Sequence, residues 1–226
     1  MMNELQLYFY CIGIDLPGHG NSPPMPHLTF NTILKALVDI LSTSTSSKIS
    51  IIGYSMGGRL AMLLDYHYSH LLHHIIILSA HPGLSRHEKK NRRTQERYFV
   101  SLLKRDPSSF LREWYSQPLF KTLCLEDMLK KRRDFNNMGV ANTLQALSIT
   151  RQPSLWHHLH VTPTPFVFVY GENDEHYKAL YERLPSFVQK KEIPLASHAV
   201  HIENPSMCVN ICMHTLLKKN PCIPPL

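Results

Sequence analysis

ISIIGYSMGG, residues 49–58, is a short β-branched run that passes directly into a G-x-S-x-G pentapeptide. A strand that delivers a serine into a helix through glycines has the pattern of a nucleophile elbow. The serine, Ser55, must occupy a sharp, strained turn that holds its Oγ clear of the backbone. Glycines on both sides let strand and helix approach without Cβ clashes. Met56 opens the helix, so its N–H points to where an oxyanion would form. A glycine-rich turn that merely contains serine is the competing explanation, and the pentapeptide alone does not remove it.

Reading outward, strand and helix patterns alternate. Residues 5–16 (LQLYFYCIGIDL) are apolar, rich in β-formers and closed by Pro17-Gly18, which predicts a buried strand. Residues 30–41 carry apolar side chains at helical spacing (Ile33, Leu34, Leu37, Val38, Leu41), and the Ser/Thr stretch 42–47 reads as a loop. A strand is expected over 48–52, a helix over 57–68 and a strand over 75–79. Beyond residue 86 charged residues crowd in and helical spacing takes over (Tyr98, Leu102, Phe110, Trp114). Strand character returns at 163–171, followed by a helix over 177–184, a strand over 188–193 and a closing helix over 205–218. This predicts an α/β fold, a mostly parallel sheet with helices on both faces. The organisation is a first core part (1–85), a helical cap (86–152) and a second core part (153–226).

Two further segments complete a constellation. YGEND (170–174) puts Asp174 just past the next-to-last predicted strand, and ASH (196–198) puts His198 just past the last. The chain order Ser, Asp, His is the order an elbow of this kind requires. All three fall at strand C-terminal ends, where open parallel sheets place their ligands. His198 would take the Ser55 proton, and Asp174 would fix the imidazole tautomer and steady its positive form. Glu172 and Glu175 are rival acids and His201 a rival base. Placed beside Glu203, His201 is expected to tie the last loop to the final helix.

Composition sets the limits. The chain has 226 residues, 43% hydrophobic and 18% charged, which suits one globular domain rather than a disordered segment. A formal charge of +7 favours anionic substrates. No helix-turn-helix, zinc-finger or RNP-like pattern accompanies it, so a nucleic-acid partner is not expected. Five cysteines at irregular spacing argue against a disulfide framework, and Cys208 and Cys212 read as buried thiols rather than metal ligands. No metal or cofactor is expected. Apolar runs shorter than a dozen residues predict no stable membrane insertion, and an N-terminus with no cationic region or cleavage site predicts a cytoplasmic protein.

With these motifs in place, the sequence resembles the α/β-hydrolase family. The resemblance rests on DLPGHGNS (15–22), GYSMGGRLAM (53–62), SAHPGL (79–84), SLWHHL (154–159), YGENDEHYKAL (170–180) and SHAVHIENP (197–205). Within that family it is most similar to the 2-succinyl-6-hydroxy-2,4-cyclohexadiene-1-carboxylate synthases of menaquinone biosynthesis. The arginine after the elbow, the PGL after the next strand and WYSQPLF in the cap carry this narrower match, which runs from Asp15 to Pro205. The resemblance implies a lyase whose triad serine removes a proton from a cyclohexene substrate while pyruvate is eliminated. Such a substrate carries several carboxylates, so fixed cations are expected. Arg59 lies on the first turns of the helix after Ser55 and can pair a carboxylate bidentately. One arginine from each cap cluster would match the family's clamp: Arg92, Arg93 or Arg97, then Arg132 or Arg133. Tyr54 and Trp114 match family positions that line the pocket.

The sequence departs from the family at its start. Two or three strands normally precede the segment 5–16, and the loop after the third carries an H-G-x-x-G motif that donates an oxyanion N–H. No such motif is present, and His19-Gly20 belongs to the next loop. The family sheet puts that strand between segment 5–16 and the elbow strand, so an N-terminally truncated sheet with a vacant lane is expected, unless segment 5–16 shifts to pair with the elbow. Strands pair at about 4.8 Å and cannot bridge an empty lane. Losing one oxyanion donor costs about 10²–10³ in turnover, so weak or absent activity is expected. Two alternatives to the lyase stay open: a carboxylesterase or thioesterase forming an acyl-serine, and a non-catalytic remnant or binding protein.

Overall fold

The computed structural model describes residues 1–45, 47–132 and 135–217. Four parallel strands form one sheet in the order β1 (Ile49–Tyr54), β2 (Leu72–Leu78), β3 (Phe166–Gly171) and β4 (Gln189–Ile193). Ile76 lies opposite Ile52 and Val167, and Val169 opposite Lys191; the register of β1 on β2 shifts once, between Ile49 and Ile51. Eleven helices accompany the strands among the described residues: α1 (Met2–Leu5), α2 (Phe30–Ser44), α3 (Met56–Tyr68), α4 (Arg86–Arg105), α5 (Pro107–Tyr115), α6 (Leu125–Lys131), α7 (Asn137–Ala146), α8 (His158–Val161), α9 (Glu175–Tyr181), α10 (Val200–Glu203) and α11 (Pro205–Leu216).

Strand periodicity sorts the core into two layers. Ile75, Ile77, Phe166, Phe168 and Tyr170 face α2, α3 and α9, meeting Leu34, Leu37, Leu60 and Tyr181. Ile76, Leu78, Val167, Val169 and Ile193 face the other way, onto Cys208, Val209 and Cys212 of α11 and onto Leu5. A third cluster (Phe99, Leu102, Leu103, Phe110, Leu111, Ala141) holds α4, α5 and α7 together over the strand C-termini. Local signals start the long helices. Thr29 and Thr32 form a reciprocal capping box for α2, and Ser85 and Glu88 form one for α4. His158 Nε2 lies 2.6 Å from Oδ2 of the buried Asp65, which also accepts from Thr162 Oγ1, so α8 is pinned to α3.

The segment 5–16 differs from the sequence expectation. Leu5 ends α1, a turn follows, and residues 10–16 have no regular secondary structure and join no ladder. Leu7, Tyr8, Tyr10, Ile12 and Ile14 are exposed. The physical reason is the absent partner: β1 pairs with β2 alone, and an open lane separates it from residues 10–16. The lane is continuous with a cavity of about 1690 Å³ lined by Tyr10, Ile12 and Ile14 on one wall and Ile49, Ile51 and Ile52 on the other. The Ser/Thr loop is also shorter than expected, because α2 runs on to Ser44.

Candidate functional site

The cavity's upper end lies between the strand C-termini and the cap, and the elbow opens into it. Ser55 has φ +46° and ψ −108°, a strained backbone for a residue with a Cβ. It is held there by its own N–H bonding Leu78 O at 2.9 Å and by Arg59 N–H bonding Ser55 O at 3.0 Å. A Cβ on Gly53 would stand 2.6 Å from Gly57 O, and one on Gly58 would stand 2.6 Å from Ala80 Cβ. Strand and helix therefore cross at contact distance only because both are glycine. Met56 is the first residue of α3, and its N–H is one of the donors that a helix leaves free.

Asp174 and His198 meet at the end of the sheet. His198 Nδ1 lies 3.3 Å from Asp174 Oδ2, and both residues are 5% exposed. The other carboxylate oxygen, Oδ1, accepts Tyr177 N–H at 3.1 Å as the N-cap of α9, so the acid is fixed by the helix that it caps. Of the rivals, Glu175 opens α9 and lines the cavity, whereas Glu172 and His201, together with Glu203, have other partners. Glu172 accepts Leu195 N–H at 2.9 Å and joins two loops. Glu203 accepts Ser197 N–H at 3.0 Å and the Thr122 hydroxyl, fastening the His198 loop to the cap. His201 packs on Tyr54 with ring centroids 4.3 Å apart, and burial pulls its pKa down to about 4. Ser55 and His198 line the same cavity, but no hydrogen bond joins them among the described residues. Such contacts commonly tighten only when a substrate is bound.

Aromatic rings wall the site. Tyr54, Phe120 and Tyr177 surround His198 at centroid distances of 5.4, 5.8 and 5.1 Å. Burial raises the phenol pKa of both Tyr54 and Tyr177, which keeps them protonated. Trp114 packs on Phe99 and Phe110 and lines the cavity. Arg59 is a half-buried cation on the cavity wall. Its Nη1 donates to Gln152 Oε1 at 3.1 Å and its Nη2 to Leu147 O at 2.8 Å. Burial lowers its pKa to about 10, partly offset by the nearby Glu96, so it stays charged at neutral pH.

The cap cations divide. Arg132 lines the cavity, and Arg133 lies outside the described residues. Arg93 and Arg97 are exposed on α4 and are not part of the wall; Arg92 is, 3.4 Å from Glu96 Oε1. Sequence reasoning also missed Glu96, which lines the wall and accepts the Ser148 hydroxyl. The available signal was the stripe Arg92, Glu96, Phe99, Leu103 at helical spacing, whereas the expectation traced that spacing through Tyr98 and Leu102. Tyr98 is 49% exposed, and Arg93 and Arg97 flank the same outer face. Cys208 and Cys212 are buried thiols whose pKa burial raises to about 12. Among the described residues, no group of His, Cys, Asp or Glu is arranged to hold a metal ion, and no helix is long and apolar enough to cross a membrane.

Known proteins place this geometry. A profile of the alpha/beta hydrolase family matches residues 2–210. A 2-succinyl-6-hydroxy-2,4-cyclohexadiene-1-carboxylate synthase from Enterobacter sp. (strain 638) is 33% identical over 210 residues, covering 91% of this chain and 80% of the relative. The synthase of the same name from Photorhabdus laumondii is 34% identical over 212 residues, covering 90% and 74%. The solved structure of MenH from S. aureus superposes with a TM-score of 0.83 at 25% identity, covering 90% of this chain and 81% of that one. A thermophilic esterase from Thermogutta terrifontis shares the fold with a TM-score of 0.70 at 22% identity, covering 89% and 77%. The chain belongs to the α/β-hydrolase family, among relatives that include these synthases.

Proposed function

We propose that the protein is a lyase that eliminates pyruvate from a cyclohexene polycarboxylate, the reaction type expected for a 2-succinyl-6-hydroxy-2,4-cyclohexadiene-1-carboxylate synthase. One observation carries this reading. Arg59 is a charged guanidinium set in the cavity wall beside the elbow, bonded to a neutral amide and a carbonyl, and no carboxylate among the described residues pairs with it directly. A half-buried cation with neutral partners is costly unless an anion arrives to complete it. A serine esterase acting on a neutral acyl group gives that cation no role.

In this reading Arg59, with Arg92 and Arg132 from the cap, holds substrate carboxylates, while Tyr54 and Trp114 shape the apolar wall. His198 Nε2 takes the Ser55 proton, and Asp174 holds the imidazole in the tautomer that allows it. Ser55 Oγ then removes a ring proton, and the electron pair left behind forms a ring double bond as the ring carbon–oxygen bond breaks. The enolate of pyruvate that leaves takes up the proton held by His198, while the ring proton stays on Ser55. Met56 N–H faces the negative charge that builds during the step. The core parts 1–85 and 153–226 supply the triad and Arg59, and the cap, 86–152, adds Arg92 and Arg132 to the clamp.

The test is pyruvate release beside ester hydrolysis, with Arg59→Met and Ser55→Ala variants. Arg59→Met is expected to lower kcat/KM for pyruvate release by about 10²- to 10³-fold, while hydrolysis of a small neutral ester changes little. Ser55→Ala should abolish both, together with fluorophosphonate labelling. An ester burst dependent on Ser55, without pyruvate release, would overturn the lyase reading in favour of the acyl-serine one.

A further inference from the structure

The proposed reaction leaves several polar groups on the cavity wall without a task, and His81 is one of them. His81 lies three residues beyond β2, is 6% exposed and lines the cavity. Its Nδ1 accepts Gly83 N–H at 2.9 Å. A ring nitrogen that accepts must carry a lone pair, so the proton of the neutral ring sits on Nε2. No protein group among the described residues hydrogen-bonds Nε2. Nor is Nε2 one of the fully enclosed polar atoms left without a partner, which are Asp65 Oδ1, Ser79 Oγ and His201 Nδ1. It therefore keeps access to the cavity.

The turn that holds this ring is rigid. Gly83 has φ +136°, and a Cβ there would stand 2.7 Å from Ser154 Cα. Pro82 O accepts Leu155 N–H at 2.9 Å and Gln152 Nε2 at 3.2 Å, and Gly83 O accepts Trp156 Nε1 at 3.0 Å. Gln152 is wholly buried, and its Oε1 receives Arg59 Nη1 at 3.1 Å. One side chain thus ties the Arg59 guanidinium and the His81 turn into a single frame.

We propose that His81 is a substrate-contacting donor, its neutral Nε2–H bonding a carboxylate or carbonyl oxygen of the substrate next to the carboxylate that Arg59 holds. The proposal rests on the anionic-substrate reading above. The neutral state has a physical basis: burial brings the imidazole pKa down to about 4 against the pull of Glu88, with His176, Arg183 and Arg59 acting in the same direction as burial. A neutral donor adds directionality beside Arg59 without like-charge repulsion. A carbon side chain would leave a substrate oxygen desolvated and unpaired.

The experiment combines NMR of the ¹⁵N-histidine-labelled protein with kinetics of His81→Phe and His81→Gln. The probe is the expected product, 2-succinyl-6-hydroxy-2,4-cyclohexadiene-1-carboxylate. At pH 7 the free protein should show His81 as the neutral Nε2–H tautomer, and saturating product should shift that nitrogen and its proton. His81→Phe should lower kcat/KM for pyruvate release by about 10- to 100-fold. His81→Gln, whose amide nitrogen reaches the imidazole Nε2 position, should recover most of the loss. Product that binds wild-type protein with His81 Nε2 unmoved, or His81→Phe kinetics equal to wild type, overturns the proposal and leaves the lyase reading standing. Failure of the product to bind the wild-type protein overturns the lyase reading, and the His81 proposal with it.

Discussion

Two strands of the sheet, interior β3 and edge β1, are unlike. β3 is buried along its whole length, with β2 on one side, β4 on the other and helices over both faces. β1, which carries the elbow, is only partly buried except at Gly53, and its outer edge faces the open lane. The residues are of similar kind, apolar and β-branched or aromatic, so composition does not explain the contrast. Neighbours do. The same apolar pattern makes a closed core strand where partners exist on both sides and a cavity wall where one is missing. Asp174 thus follows the fully covered strand and His198 follows β4, the far edge of the sheet, whereas Ser55 stands at the end of the edge that faces the lane. Ser55 keeps its geometry through β2, by way of Leu78 O, and through the packing of α3.

The largest effect that tests this contrast is on stability. Phe168 is fully buried on β3 and packs against Phe166 and Tyr181 at 5.8 and 5.0 Å. Phe168→Ala is expected to cost about 3–5 kcal/mol in denaturant unfolding. Ile51→Ala on β1 removes a side chain that already borders a cavity and should cost only about 1 kcal/mol. Equal losses would break the comparison, because β1 would then be as well covered as β3.

Acid sharpens it from the other side. Tyr54, the last residue of β1, is supported by His201, whose pKa burial lowers from 6.5 to about 4, with His198, Arg132 and the N-terminal ammonium adding to the shift. Below pH 6.5 the unfolded chain takes up a proton at this position that the folded chain refuses. Stability therefore falls as pH drops from about 6.5 toward about 4 and then levels off. The size is about 3 kcal/mol for this one group. In urea titrations across that range, His201→Phe should lose this part of the acid sensitivity. An unchanged pH slope would show that His201 is not held neutral against Tyr54.

Much of this was legible in the residues. The elbow, the order Ser55, Asp174, His198 and the alternation of elements are local signals, and their geometry depends on nearby glycines and caps. Two things were not local. Residues 5–16 read as a strand because their pattern is that of one, but a strand is a relation between chains, and β1 lies beyond pairing distance. The cap arginines were placed by their clustering, whereas a helix chooses its inner face by its apolar stripe. Phe99 and Leu103 set that stripe, which brings in Arg92 and Glu96 and turns Arg93 and Arg97 outward.

The smallest effect is also the most local test of the one-sided support of β1. Gly57 and Gly58 are neighbours at the start of α3, and the motif pattern marks the first as the essential glycine. The structure reverses that order. A Cβ on Gly57 meets nothing within 4 Å, because this position borders the cavity, whereas one on Gly58 would stand 2.6 Å from Ala80 Cβ, on the side toward β2. Gly57→Ala should thus be neutral or stabilising by about 0.5–1 kcal/mol, since it lowers the entropy of the unfolded chain at a helical position. Gly58→Ala must push α3 away from Ala80, two residues after β2, and should destabilise by about 1–3 kcal/mol. Thermal unfolding of the two variants reads the difference without any assay of activity. If Gly57→Ala proved the more damaging, the elbow would be packed on its outer side as well, and the contrast between β3 and β1 would not extend to Ser55.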